Sequence, residues 1–147
     1  MTKPTSANMA QLMAALQSAA GNAAWTFLKT ENAPTYDIAY LAIRQWVVDN
    51  ADNNTGLRVV LTLADGTVAI DTSKSNNSFV NYQSKSINEN HNSRLAIFTA
   101  LASNAGTGQE TKYSTTTRVQ TYNYAQRMGL SPEESVGVLR VSISEAT

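Results

Sequence analysis

The chain has 147 residues, 42% of them apolar and none cysteine, a length and composition that suit one domain with a single core and leave no disulfide, thiolate zinc site or cysteine nucleophile. Eleven basic residues balance eleven acidic ones, which argues against nucleic acid and against an anionic membrane surface, since both are recognised largely through excess positive charge. No run reaches the roughly 18 apolar residues that a membrane helix needs, so membrane insertion is not expected, and the compartment stays open.

Residues 6–30 read as a helix. Ser6 is a fair N-cap, and Met9, Leu12, Met13, Leu16, Ala20, Ala23, Phe27 and Leu28 recur at spacings of three and four, one apolar stripe. Lys3 before an Ala/Leu/Met stretch has the outline of a signal peptide, but Gln11, Gln17, Ser18 and Asn22 interrupt it, so an amphipathic helix is the reading. The stripe packs a core or forms a seam with a second copy; the second case gives a homodimer through residues 6–30. Gly21 within it costs about 1 kcal/mol relative to Ala. Pro34 fits the first turn of a second helix entered at Asn32 or Ala33, with Tyr36, Ala39, Tyr40, Ile43, Trp46 and Val47 on one face, and the polar segment 49–56 ends it.

The period then switches. Residues 57–63 and 67–71 are strands joined by Asp65-Gly66, a hairpin turn signal because Gly supplies the positive φ. Residues 72–92 are polar without a period, a length that suits a binding or lid loop anchored by Phe79, Val80, Tyr82 and Ile87. Ser93 opens a short helix that ends at residues 104–108. Residues 109–116, 118–126 and 135–144 are three closing strands, with Ser131-Pro132-Glu133-Glu134 as a turn before the last. Val136, Val138, Val141 and Ile143 make that last strand apolar enough to be central. The sum is an α+β fold, a five-stranded antiparallel sheet packed on one face by helices, in a single domain over 1–147 whose helical part is 1–50 and whose sheet part is 57–144.

Local motifs do not spell out an enzyme. His91 is the one histidine; with Glu89 it lacks the third and fourth ligands of a metal site and reads as a loop residue bonded to backbone. Asp65 and Asp71 flank the hairpin, and paired carboxylates can run glycoside hydrolysis, but the turn explains the first and the strand end the second. Ser114 to Thr117 offer hydroxyls without a base, and Gly106-Thr107-Gly108 lacks the Gly-Lys-Ser/Thr ending of a phosphate loop. No metal, cofactor or catalytic residue is expected. The Asn-x-Ser/Thr triplets at Asn53 and Asn76 are short enough to arise by chance.

The order of these pieces resembles the PAS-like extracytoplasmic sensor domains of Cache or PDC type, as found in sensor histidine kinases. A long N-terminal helix precedes a strand-turn-strand, here Leu57 to Asp71 with Asp65-Gly66-Thr67-Val68. Then come Asn90-His91-Asn92-Ser93-Arg94, Gly106-Thr107-Gly108, Lys112-Tyr113-Ser114-Thr115, Tyr124-Ala125 and Val136-Gly137-Val138-Leu139-Arg140-Val141. The hairpin and final third span about half the chain. The resemblance implies a five-stranded PAS-like sheet with a short covering helix, and a non-enzymatic module that binds a small molecule or a protein partner as a homodimer. Such sensors usually sit between membrane helices, which this sequence lacks, so either an excised or a free-standing domain is expected. A second reading is a structural or interaction protein with a filled pocket, such as a virion or scaffold component of a large DNA virus.

In PAS-like domains the ligand lies between the sheet and the segments that cover it. Here residues 72–98 would be the cover, with Arg94 opening its helix, and the sheet would supply Tyr113, Arg118, Tyr122, Tyr124 and Arg127. Alternation puts Tyr122 and Tyr124 on one face with Arg118 and Gln120. Arg and Tyr together suit a small carboxylate, held bidentately by the guanidinium, or a small amine. The tyrosines could equally pack the core, with Arg94 paired to Glu89 or Glu110.

Overall fold

The computed structural model describes residues 6–85, 87, 94–114, 118–129 and 131–144. Two long helical segments lead into a five-stranded antiparallel sheet. The first runs unbroken through α1 (Ser6–Leu16), a π turn (Gln17–Gly21) and α2 (Asn22–Thr30). The π turn is the part of the expected 6–30 helix that spacing did not reveal. Gly21, which closes this turn, is buried. Glu31 ends α2 in the left-handed region at φ 48°, and Asn32 caps α3 (Ala33–Asn50), its Oδ1 accepting from the Thr35 N–H at 3.0 Å.

The strands are β1 (Arg58–Leu63), β2 (Val68–Asp71), β3 (Thr107–Ser114), β4 (Val119–Met128) and β5 (Gly137–Ser144), in spatial order β2-β1-β5-β4-β3. The last strand is central, as its apolar content predicts. The third begins two residues earlier than expected, at Thr107. Residues 115 and 116, read from sequence as the end of a strand, residue 117 between the strands, and Asn90 to Ser93 in the approach to Arg94 lie outside the described residues, as do Glu89 and His91.

The segment after β2 departs from expectation. It is not structureless: Ser78 caps a short α4 (Phe79–Gln83), accepting from the Asn81 N–H at 3.0 Å. Phe79 and Tyr82 join Phe27 and Tyr36 in an aromatic cluster with centroids 5.2–6.0 Å apart. Ile87 is buried as expected of an anchor, whereas Val80 points outward. The covering helix α5 (Leu95–Ala102) follows.

Strand alternation then gives the sheet two unlike faces. On the first, Leu139, Val141 and Ile143 of β5 form one core with Val59, Leu61 and the Met9–Met13–Leu16–Phe27 stripe. Gly137 lies against Leu28 on this side, which fixes the long helix to it. The stripe proposed from sequence as a core or a seam thus faces the sheet of its own chain. The outer side of that helix carries small and polar residues such as Ala15, Ser18 and Asn22. On the second face, Ala96, Ile97 and Ala100 of α5 pack on Ala125 and Val138.

Candidate functional site

The second face owes its shape to register. One row of neighbours across the sheet reads Asp71, Val60, Arg140, Ala125, Gly108; the next reads Arg58, Ser142, Asn123, Glu110. At one end the residues are small. A Cβ on Gly108 would collide with the Ala96 carbonyl and lie 2.9 Å from both the Ala100 nitrogen and the Thr99 Cβ. Only glycine lets α5 sit this close. Away from α5 the rows become long and charged, and a cavity of about 350 Å³ opens, lined by Arg58, Arg94, Lys112, Tyr113, Thr121, Asn123 and Arg140. That volume is within the usual range for small-molecule sites.

Four cations converge on this cavity, and they are not equivalent. Arg58 is neutralised: its Nε and Nη2 donate to the two carboxylate oxygens of buried Asp71 at 2.9 and 2.6 Å. Burial alone would push the Asp71 carboxyl up. Hydrogen bonds from Arg58 and Ser73, with the Arg58 charge, override it and hold the pKa at about 2. Asn77 fastens the same corner, accepting from the Asp71 N–H at 2.9 Å and donating to its carbonyl at 2.7 Å. Arg140 is the opposite case. It is 3% exposed, and its Nε finds no acceptor among the described residues. Burial first, then the Arg58 and Arg94 charges, push its pKa down to about 10, with Asp71 and Glu110 opposing. It therefore stays charged at neutral pH in a place that disfavours charge. Lys112 stands exposed at the mouth and Arg94, half-buried, at the entry of α5. Asn123 is oriented by the Ser142 hydroxyl and donates to the Glu110 carbonyl at 3.2 Å.

The residues singled out from sequence divide. Arg94 and Tyr113 line the cavity together. Tyr122 and Tyr124 do share a face, but it is the first one: Tyr122 lies in the core under the long helix, its hydroxyl buried without a partner among the described residues, and Tyr124 packs against that core. Arg118 is exposed in the turn before β4, at φ 58°. Arg127 is on the second face but serves α5: its guanidinium donates to the carbonyls of Ala100, at 3.2 Å, and Ser103, capping the helix C-terminus. Arg58, Lys112, Asn123 and Arg140 were missed. The available signal was an Arg alternating with valines and Leu139 in a strand otherwise apolar enough to be central. Among the described residues no group of three or more His, Asp or Glu could hold a metal ion.

No family model and no curated protein sequence matches this chain. Solved structures do match in fold. The sensor domain of the V. cholerae histidine kinase DctB superposes with a TM-score of 0.59 at 17% identity, over 85% of this chain and 44% of that one. The ligand-binding domain of the Campylobacter jejuni chemoreceptor Tlp3, in complex with 4-methylisoleucine, gives 0.50 at 14% identity, over 92% and 57%. The chain thus spans about half the length of these sensor domains, and it has their Cache/PDC-type fold, without a helix among the described residues long and apolar enough to cross a membrane.

Proposed function

We propose that this chain is a non-enzymatic, sensor-type domain that binds a small carboxylate in the cavity on the second face of its sheet. The observation that carries the reading is Arg140. A guanidinium held almost free of water, with an unmatched Nε and two like charges nearby, is stabilised by an incoming anion more than by anything the described residues supply. Arg94 and Lys112 add positive charge, and Tyr113, Thr121 and Asn123 add hydrogen-bonding groups for the rest of the ligand. The Tlp3 domain, crystallised with an amino acid that carries one carboxylate, supports the class of ligand by analogy of fold only. Membership of a signalling chain and an extracytoplasmic setting belong to the same analogy.

A thermal-shift screen of amino acids, organic acids and amines tests the reading, followed by calorimetry on any hit. A ligand that binds the folded state alone adds about 2.7 kcal/mol of stability at a hundred times its dissociation constant. Carboxylates should raise the melting temperature and their amides or esters should not. If only amines act, or if no carboxylate acts, the reading is abandoned.

A further inference from the structure

The helix α3 carries two apolar stripes where a surface helix ordinarily carries one. The inner stripe, Tyr36, Ala39, Ile43, Trp46 and Val47, is buried in the core. The outer one is bare: Ile38, Leu41 and Val48 are 60%, 65% and 57% exposed. These are three of the five large hydrophobics that stand exposed among the described residues, so they mark one helix face rather than scatter. With Pro34 and Gln45 they follow one another at spacings of four, three, four and three, the seam repeat of two helices packed side by side.

The flank of the seam is charged, and the charges are complementary to themselves. Asp37 precedes Ile38 and Arg44 precedes Gln45, so both lie on the same edge, one repeat apart, and both are exposed. Arg44 spends one N–H on the Thr72 carbonyl, at 3.3 Å. A second feature gives the direction. An apolar groove of about 250 Å³, lined by Asn22, Ala23, Thr26, Thr35 and Ile38, lies at the start of α3, whereas Val48 projects near its end.

We infer that this face of α3 is an interface with a second copy of the chain, the two helices running antiparallel. In that arrangement Ile38 packs on Leu41 of the second copy, and Val48 approaches the groove end of the other helix. Asp37 comes opposite Arg44 of the second copy, and two-fold symmetry makes the pair twice. A parallel pairing would set Val48 against Val48, leave both grooves empty and leave Asp37 facing Ala42.

Sedimentation equilibrium of the full chain, from low to high micromolar, reads the result. The wild type should move from monomer mass to twice that mass. Leu41→Glu should remain a monomer throughout, and at low micromolar concentration, where the wild type is also monomeric, the two should melt alike because the position is exposed. Asp37→Arg should weaken the dimer roughly tenfold or more by setting two cations together, and the double swap Asp37→Arg with Arg44→Asp should restore it. A wild type that is monomeric at every concentration overturns the inference. So does a dimer indifferent to Leu41→Glu, or one that Asp37→Arg leaves intact. A dimer broken by Ala15→Glu, on the outer side of the long helix, and not by Leu41→Glu would assign the contact to residues 6–30 instead.

Discussion

The two faces of β5 are built from one strand and could hardly differ more. Leu139, Val141 and Ile143 point to the long helix and are sealed into the main core; Val138, Arg140 and Ser142 point the other way, the first packed with Ala96, Ile97 and Ala100 of α5. Burial does not separate the two sets: Leu139 is 0% and Arg140 3% exposed. What separates them is whether the neighbours complete the residue. A leucine is satisfied by contact alone, whereas a buried guanidinium needs acceptors, and the Arg140 Nε has none among the described residues. The first face is therefore closed by apolar packing from the chain's own helix, save for the Tyr122 hydroxyl, whereas on the second a buried cation is left unmatched among the described residues.

The largest effect should come from damaging the first face. Phe27 is fully buried, with Tyr36 and Tyr82 edge-on at 5.2 and 5.4 Å. Phe27→Ala should cost about 3–5 kcal/mol, which for a domain of this size is a fall of roughly 10 °C or more in melting temperature. A loss near zero would mean that Phe27 is not part of a close-packed core. Arg140→Met should do the reverse. It replaces a buried charge with an apolar chain of similar length, so the fold should hold or gain stability. Carboxylate binding should weaken by about 2 kcal/mol or more, roughly thirtyfold. Titration calorimetry on the folded variant separates the outcomes; undiminished binding would remove Arg140 from the site.

Acid should act on the second face through Asp71. Its folded pKa of about 2 lies below the ordinary carboxylate value near 3.9. A group depressed in this way stabilises the fold fully above the unfolded value and loses that contribution as pH falls through the folded one. The window is therefore from about pH 4 down to about pH 2, and the loss is about 2 kcal/mol. Asp71→Asn should flatten that part of the stability curve in chemical denaturation, and an unchanged slope would mean that the Arg58 pair is broken in solution.

Much of this was legible in the residues. The Asp65-Gly66 hairpin, the entry to α3 at Asn32 or Ala33 and the central place of β5 each follow from local chemistry, and the structure has all three, with Asn32 as the cap. The candidate site was legible only in part, because a face is a property of the sheet and not of a strand. Alternation tells that Tyr122 and Tyr124 agree with each other; only their pairing with Ile143 and Val141 tells that they look toward the long helix. Arg140 was hidden for the same reason, inside a run read as core. Asp71 passed for a strand end, since its partner Arg58 lies on the neighbouring strand, thirteen residues back. The α4 turn was missed because five residues are too few to establish a period.

The smallest effect should come from Lys112, and it bears on how far depth matters within the second face. Lys112 and Arg140 carry the same charge and line the same cavity, but Lys112 is exposed at its mouth. Water and salt screen it there, and exposed ion pairs contribute about 0.2–1 kcal/mol. Lys112→Gln should thus weaken carboxylate binding by at most about fivefold, and the difference from wild type should vanish near 1 M salt, where the screening length falls to about 3 Å. The Arg140→Met deficit should persist under the same salt, because little solvent reaches that side chain. If both deficits vanish together, Arg140 attracts the ligand only at long range, and the cavity is a charged surface rather than a receptor. If Lys112→Gln proves the more damaging of the two, the ligand sits at the mouth and the deep guanidinium has some other partner.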